Sequence, residues 1–155
     1  ERKLFFNKIF SEIEKRKQYL SVGQILVIKK FDSTPHWVKE LKLNVEDKNS
    51  KLKKISDKIN SIAIYSLTES ALNQATEIIK QILPNIKVHT SHDKVGNQRL
   101  ESYAKTADIF VIVTSSAKHA ATEFIQKNRP KDKTTLFAAG KGSSSIIRAL
   151  EEQYV

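Results

Sequence analysis

The sequence predicts an α/β protein built on a four-stranded parallel sheet with helices on both faces. From residue 61 onward, strand-like and helix-like segments alternate four times with short connections, which is typical of β–α–β units. Residues 108–116, DIFVIVTSS, form a largely apolar run of the kind that a parallel sheet buries on both faces. The segments between the strands carry apolar residues at helical spacing, so they can cover the sheet.

The first 60 residues are predicted to form a basic extension made of an N-terminal helix and a short β extension. Residues 2–19 predict the helix, because apolar side chains recur there at helical spacing with charges opposite them. These apolar side chains are Phe5, Phe6, Ile9, Phe10 and Ile13. Residues 24–31, QILVIKKF, predict a buried strand, and residues 37–43 predict a second strand paired with it, with a short helix as the alternative.

Residues 46–60 mark the predicted domain boundary. This segment is polar and rich in lysine, which is typical of a solvated helix or a linker. The sequence therefore predicts two parts: residues 1–60, the basic helix, β extension and linker, and residues 61–155, the α/β domain.

The α/β domain is predicted to have the strand order two-one-three-four of a Rossmann-like or flavodoxin-like sheet. Its strands are expected at residues 62–67, 86–91, 108–116 and 134–140. Thr68 is predicted to cap the first helix of the domain, and Pro84 to end it. In such sheets, ligands bind beyond the carboxyl ends of the strands, close to the point where the strand order reverses.

Two loops at that edge carry residues suited to binding an anion. Residues 140–145, GKGSSS, combine two glycines, a lysine and hydroxyl groups at the start of a helix, where main-chain N–H groups and the helix dipole favour negative charge. Residues 114–119, TSSAKH, follow the central strand and would lie beside that loop. A plain strand-to-helix turn is the alternative. The predicted anion-binding residues are Ser115, Ser116, Lys118, His119, Gly140, Lys141, Gly142, Ser143 and Ser144.

The net charge of +10 favours a polyanionic partner such as nucleic acid. Residues 1–60 hold 15 basic and 8 acidic residues, so the excess is concentrated there. Lys51, Lys53, Lys54 and Lys58 are the predicted nucleic-acid-binding residues. A bias in genome base composition is the alternative explanation for a chain rich in lysine, asparagine and isoleucine.

Composition excludes several classes of protein. The chain contains no cysteine, which rules out disulfides, thiolate metal sites and a cysteine nucleophile, and favours the cytoplasm. No apolar run approaches the ~20 residues that span a bilayer, so no membrane partner is expected. The absence of methionine predicts that the chain is a segment of a larger polypeptide.

The residues at the strand ends do not match three enzyme classes. A magnesium-dependent nuclease of the Toprim type needs a pair of carboxylates to hold the metal, and in this chain only Glu69 is suitably placed. A phosphoacceptor receiver domain would need aspartate where Thr114 stands. A serine hydrolase could use Ser116, His119 and Asp93, but the chain has no Gly-x-Ser-x-Gly nucleophile elbow. We therefore expect no catalytic residue, no metal site and no cofactor.

Residues 61–153 resemble a Rossmann-like family known as a bacterial domain of unknown function. The matching pieces are ADIFVIVTSSAKHAA and AAGKGSSSIIRALEE, which carry a strand ending in threonine or serine with a nearby histidine, and a Gly-x-Ser-Ser-helix pattern. Similar domains sit at the ends of multidomain bacterial proteins, some in defence or mobile-element contexts. The resemblance therefore implies such a setting.

These observations predict a non-catalytic module that senses a ligand or binds a nucleic-acid backbone. Its expected partners are a phosphorylated small molecule or nucleic acid, together with the remainder of a larger bacterial protein; a homodimer is left open. Two alternatives remain: an enzyme that hydrolyses nucleotides or cleaves their glycosidic bond, for which Glu69 or Glu123 would serve, and a structural or dimerising domain.

Overall fold

The computed structural model describes residues 2–17, 20, 22–29, 34–40 and 58–153. The chain divides into two compact units, Glu1–Lys48 and Asn49–Val155. The predicted boundary after residue 60 stays a prediction, because residues 41–57 lie outside the described part.

The described part of the first unit contains three helices: α1 (Arg2–Glu14), α2 (Val22–Lys29) and α3 (His36–Glu40). Phe10, Ile28 and Val38, one from each helix, form a buried cluster. Four side chains pack partly buried against this cluster: Phe6, Ile13, Leu20 and Trp37. The predicted N-terminal helix is therefore confirmed. Three residues of its apolar stripe belong to this small core, whereas Phe5 and Ile9 are exposed.

The predicted β extension is wrong over its described part. Residues 22–29 are helical, although residues 24–31 predict a strand, and His36–Glu40 is helical where a paired strand was expected. A short, wholly apolar run has no periodicity that separates a buried helix from a buried strand, so length and packing decide between them. Here Ile25 and Ile28 are both buried, which a helix achieves by placing residues three apart on one face.

The second unit alternates strands and helices as the sequence predicts. Its elements in chain order are β1 (Ser61–Tyr65), α4 (Glu69–Ile82), β2 (Lys87–Ser91), α5 (Gln98–Thr106), β3 (Ile109–Val113), a 3₁₀ turn (Thr114–Ser116), α6 (His119–Asn128), β4 (Thr134–Ala138) and α7 (Ser143–Glu152). Among the described residues, no helix is both long and apolar enough to cross a lipid bilayer.

The four strands form one parallel sheet in the order β2-β1-β3-β4. Pairing is regular: Tyr65 is opposite Ser91 on one side and Ile112 on the other. All five residues of β3 are buried, whereas β4 forms an edge and is buried only at Leu136 and Ala138. The predicted α/β fold and its strand order are therefore confirmed.

Within residues 58–153, two helices cover each face of the sheet. Helices α4 and α7 pack together, and α7 also contacts β3 and β4. Helices α5 and α6 pack together, and their side of the core includes Leu100, Ala121 and Ile125 from the helices with Tyr65 and Phe110 from the sheet. Crossovers between parallel strands are right-handed, and in this sheet the one from β1 to β2 runs in the opposite direction to those that lead to β3 and β4. The connecting helices therefore lie on both faces.

At the amino edge of the sheet, the Arg129 guanidinium ties several elements together. Its Nη1 donates to the carbonyls of Ala104 and Ala107 at 2.9 and 2.6 Å, and its Nη2 donates to those of Asp108 and Thr134 at 3.0 and 2.5 Å. Burial lowers the pKa of this guanidinium. The contacts join the end of α5 to the starts of β3 and β4.

Candidate anion site at the carboxyl edge of the sheet

The carboxyl ends of the four parallel strands meet at one edge, where the strand order reverses between β1 and β3. In open parallel sheets this reversal opens a crevice between the loops that follow the two strands. The loop after β4 lies next to the loop after β3, since Thr114 Oγ1 donates to the carbonyl of Ala138 at 3.2 Å. The fold therefore brings the two predicted anion-binding loops side by side.

The loop after β3 is bound to the loop after β1. Thr68 Oγ1 and Ser116 Oγ are hydrogen-bonded at 2.7 Å, and the Leu67 N–H donates to the Ser116 carbonyl at 2.7 Å. Thr68 is the N-cap residue of α4 as predicted, but its side chain makes no capping hydrogen bond. Its hydroxyl contacts Ser116 instead, so the side chain of Ser116 is directed toward β1.

Lys118 and His119 lie at the start of α6 with exposed side chains. The Lys118 main-chain N–H donates to the phenol oxygen of Tyr65 at 3.3 Å. Burial raises the pKa of the Tyr65 phenol. The Tyr65 side chain thus holds the main chain from which the two basic side chains project, and Ser115 is exposed beside them.

The glycines of the loop after β4 allow close approach and do not require left-handed backbone. Gly140 and Gly142 both have ordinary negative φ angles. A Cβ added at Gly140 would lie 3.1 Å from Ser145 Cβ, whereas one at Gly142 would make only an ordinary contact, 3.9 Å from Ser144 Oγ. The Gly140 N–H donates to Ser145 Oγ at 2.8 Å, so this donor is already used within the loop.

The three serines at the start of α7 are directed differently. Ser143 is 6% exposed, and its hydroxyl donates to Gln74 Oε1 of α4 at 3.1 Å. Ser145 accepts from the Gly140 N–H, whereas Ser144 and the neighbouring Lys141 are exposed. Ser144 is thus the serine whose hydroxyl is most available to a ligand.

A cleft of about 450 Å³ lies between β4 and α7 and includes this loop. Gly140, Gly142 and Ser144 line it, together with the guanidinium-bearing Arg148 one helical turn further along α7. Arg148 lines this cleft but is not among the residues predicted from the sequence. Its spacing of four from Ser144 was the available signal, because residues four apart share a helix face.

The loop after β2 contains Asp93, whose carboxylate accepts hydrogen bonds from neighbouring side chains. Asp93 Oδ2 accepts from Ser91 Oγ at 2.7 Å and from Arg99 Nη2 at 3.1 Å. These bonds, led by that from Ser91 and reinforced by the Asn97 side chain, lower the pKa of Asp93 to about 2. These hydrogen bonds use Asp93 to hold the loop, so its carboxylate is not available to orient a histidine as the acid of a serine hydrolase does.

Replacing Asp93 with asparagine should make stability less dependent on acid pH. A depressed carboxyl pKa contributes stability above the unfolded value of about 3.9, and that contribution disappears as pH falls toward 2. We expect Asp93→Asn to lower the free energy of unfolding by about 1 kcal/mol above pH 5, with the gap to wild type closing between pH 4 and 2. Urea denaturation across this range measures the gap; a constant gap would contradict the prediction, and Asp132→Asn is the exposed control.

The predicted anion-binding residues therefore face three directions. Ser116 contacts the loop after β1, Ser143 contacts α4, and Gly140, Gly142 and Ser144 line the cleft beside β4. Lys118 and His119 do not line that cleft. A single site that uses both loops stays a prediction.

The predicted nucleic-acid-binding lysines fall mostly outside the described residues. Lys51, Lys53 and Lys54 belong to residues 41–57, and only Lys58 is described, with an exposed side chain. Their role stays a prediction. In the part of the chain that the structure describes, no group of three or more histidine and carboxylate side chains could hold a metal ion.

One family model, described as DpdD-like, matches residues 1–149 of the chain. The match supports the predicted relation to a family of bacterial domains, and it covers both units, whereas the resemblance seen in the sequence covers residues 61–153. No curated protein and no solved structure matches the chain.

Proposed function

The chain belongs to the DpdD-like family, and on this premise we propose that its α/β domain is a non-catalytic phosphate-binding module of a protein associated with a DNA-modification or defence system. The association with DNA modification or defence is inferred from the family. The phosphate-binding site is proposed in the cleft between β4 and α7.

The observation that carries the proposal is the composition of the cleft beside the first turn of α7. Ser144 offers a hydroxyl at the helix start, and Arg148 offers a guanidinium that matches phosphate geometry. The positive end of the helix dipole acts at the same place. A phosphate between Ser144 and Arg148 would therefore find two kinds of hydrogen-bond donor and the positive end of a helix dipole.

The charges of the neighbouring loops support the same ligand class. Residues 114–119 and 139–145 contain Lys118, His119 and Lys141 but no carboxylate. Glu152, which lines the far end of the cleft, lies one turn beyond Arg148. This carboxylate repels an anion there, so the phosphate is expected on the Ser144 side of Arg148.

A phosphorylated small molecule and a nucleic-acid backbone both present the group that this cleft would bind. Titrations with a nucleotide and with oligonucleotides of different lengths distinguish the two ligands. A nucleotide that binds as tightly as an oligonucleotide assigns the site to small molecules, whereas affinity that grows with oligonucleotide length and falls steeply with salt assigns it to the backbone.

Two substitutions should remove phosphate binding without unfolding the domain. Ser144→Asp places a carboxylate where the phosphate would lie, and folding is retained because an acidic residue in the first turn of a helix is favourable. Arg148→Gln removes a charged hydrogen-bond donor, which should weaken binding by about 10- to 150-fold. Ser143→Asp is a poor test, since Ser143 is buried against Gln74.

Calorimetric titration with inorganic phosphate, nucleotides and short oligonucleotides measures these effects on the full chain. Lys80→Gln, which neutralises an exposed cation of α4 away from the cleft, is the matched control and should bind like wild type. The proposal fails if none of these phosphates binds wild type, or if Ser144→Asp and Arg148→Gln bind them as tightly as wild type does.

A further inference from the structure

Phe137 is a large aromatic side chain at the outer edge of the sheet. It is 52% exposed, whereas its neighbours Leu136 and Ala138 are 8% and 2% exposed. Successive residues of a strand point in alternate directions, so Leu136 and Ala138 are buried while Phe137 between them is exposed at the edge. Strand β4 pairs only with β3 among the described residues, which leaves Phe137 beside an open edge.

A second cleft, of about 300 Å³, lies at the amino end of β4 and is lined by three basic residues. Arg129, Lys131 and Lys133 line it with Gln126, Pro130, Thr135 and Phe137. The Arg129 guanidinium donates its hydrogen bonds to main-chain carbonyls, and Lys133 Nζ donates to the Thr106 carbonyl at 2.6 Å. Lys131 is exposed, so its ammonium is the most accessible cation of this cleft.

Phe137 lines both this basic cleft and the cleft that contains Ser144 and Arg148. The outer edge of β4 thus presents an aromatic residue with cationic groups toward each end of the strand. Single-stranded nucleic acids are bound by this combination of features, because exposed aromatic rings stack on bases while cations contact the phosphates.

We propose that a single-stranded nucleic acid binds along β4, with one base stacked on Phe137 and its backbone held by Lys131 on one side and Arg148 on the other. The contact to Arg148 rests on the function proposed above, whereas stacking on Phe137 and the contact to Lys131 do not. A duplex is excluded from this mode, since its bases are already stacked on each other.

The charges along β4 favour a polyanion over a second copy of the chain. Two copies paired antiparallel through β4 would bring Lys131 and Lys133 of one copy toward Arg148 and Lys141 of the other. Among the described residues that line the two clefts, Glu152 is the single carboxylate. Two chains that each carry a net charge of +10 would also repel one another.

The test measures binding of a fluorescein-labelled 12-nucleotide single-stranded DNA to the full chain by anisotropy. Phe137→Leu keeps an apolar side chain but removes the aromatic face, and should weaken binding by about five- to 150-fold. Lys131→Gln should lower the slope of log affinity against log salt by about 0.7, the value for one contact to a single strand. Phe5→Ala removes a Phe that is 63% exposed in the first unit, and is the matched control.

Three results would overturn the inference: unchanged affinity in Phe137→Leu, equal loss in Phe5→Ala, or tighter binding of a duplex than of the single strand. A wild-type dimer that Phe137→Leu converts to a monomer would assign the surface to self-association and overturn it as well. Binding of inorganic phosphate separates the two proposals, because Phe137→Leu should leave it unchanged while Ser144→Asp abolishes it. Weaker DNA binding by Phe137→Leu in a chain that binds no phosphate would support stacking alone.

Discussion

Replacing Arg129 with alanine should destabilise the α/β domain by about 3 to 5 kcal/mol, at the upper end of single-residue effects. The substitution removes donors from four main-chain carbonyls and from Thr135 Oγ1, to which Nε donates at 3.3 Å. Ala107 is fully buried, and a buried acceptor left without a partner costs about 1 to 3 kcal/mol. The guanidinium also lies 5.6 Å from the centroid of the Phe110 ring, a further favourable contact that alanine loses.

Arg129→Lys should recover only part of that loss. An ammonium carries one nitrogen and three donors, so it cannot reproduce a planar fork that reaches α5, β3 and β4 together. Thermal melts and urea denaturation followed by far-ultraviolet circular dichroism measure both variants on the full chain. Arg99→Ala is the matched control, because Arg99 is exposed and bonds to Asp93 alone at this loop. Similar losses in Arg99→Ala and Arg129→Ala would refute the structural role assigned to Arg129.

Replacing Gly96 with alanine should also destabilise the domain, by about 2 to 3 kcal/mol, because the loop after β2 lies directly against α6. A Cβ at Gly96 would lie 2.3 Å from both Cγ and Cδ2 of the Phe124 ring, a distance that real atoms cannot occupy. Phe124 packs against the core that contains Ala121 and Ile125, so the ring cannot move away without loosening that core. The requirement at Gly96 is therefore close approach and not an unusual backbone angle, since its φ is not positive.

A second substitution at Phe124 tests this explanation directly. Phe124→Leu removes the ring atoms that meet the new Cβ, so the double variant should be more stable than the sum of the two single losses predicts. A coupling free energy of about 1 to 2 kcal/mol is expected from urea denaturation of the four chains in the cycle. Gly142→Ala is the control, because the nearest atom to its added Cβ, Ser144 Oγ, lies 3.9 Å away. Strictly additive losses would show that Gly96 acts through something other than contact with Phe124.

The candidate site was predictable at the level of loops but not of individual side chains. Strand–helix alternation placed residues 114–119 and 140–145 at one edge, and the observed strand order makes them neighbours. Ser143 and Ser144 are adjacent and chemically identical, yet one is buried against Gln74 and the other is exposed. Helical spacing places Ser143 on the buried face of α7 with Ile146 and Ile147, but its hydrogen bond to Gln74 depends on how α7 packs against α4, which no local pattern specifies.

The α/β fold of the second unit is determined by the sequence alone, because four strand-like segments alternate with helices that each have an apolar face, and the central strands β1 and β3 are apolar runs. In α4, for example, Leu72, Ala75 and Ile79 recur at helical spacing and are buried together. Tertiary structure decided what local patterns leave open. Residues 22–29 are helical because Ile28 packs on Phe10 and Val38. The central role of Arg129 likewise appears only in the fold, since its partners are scattered between residues 104 and 135 and become neighbours only when the sheet forms.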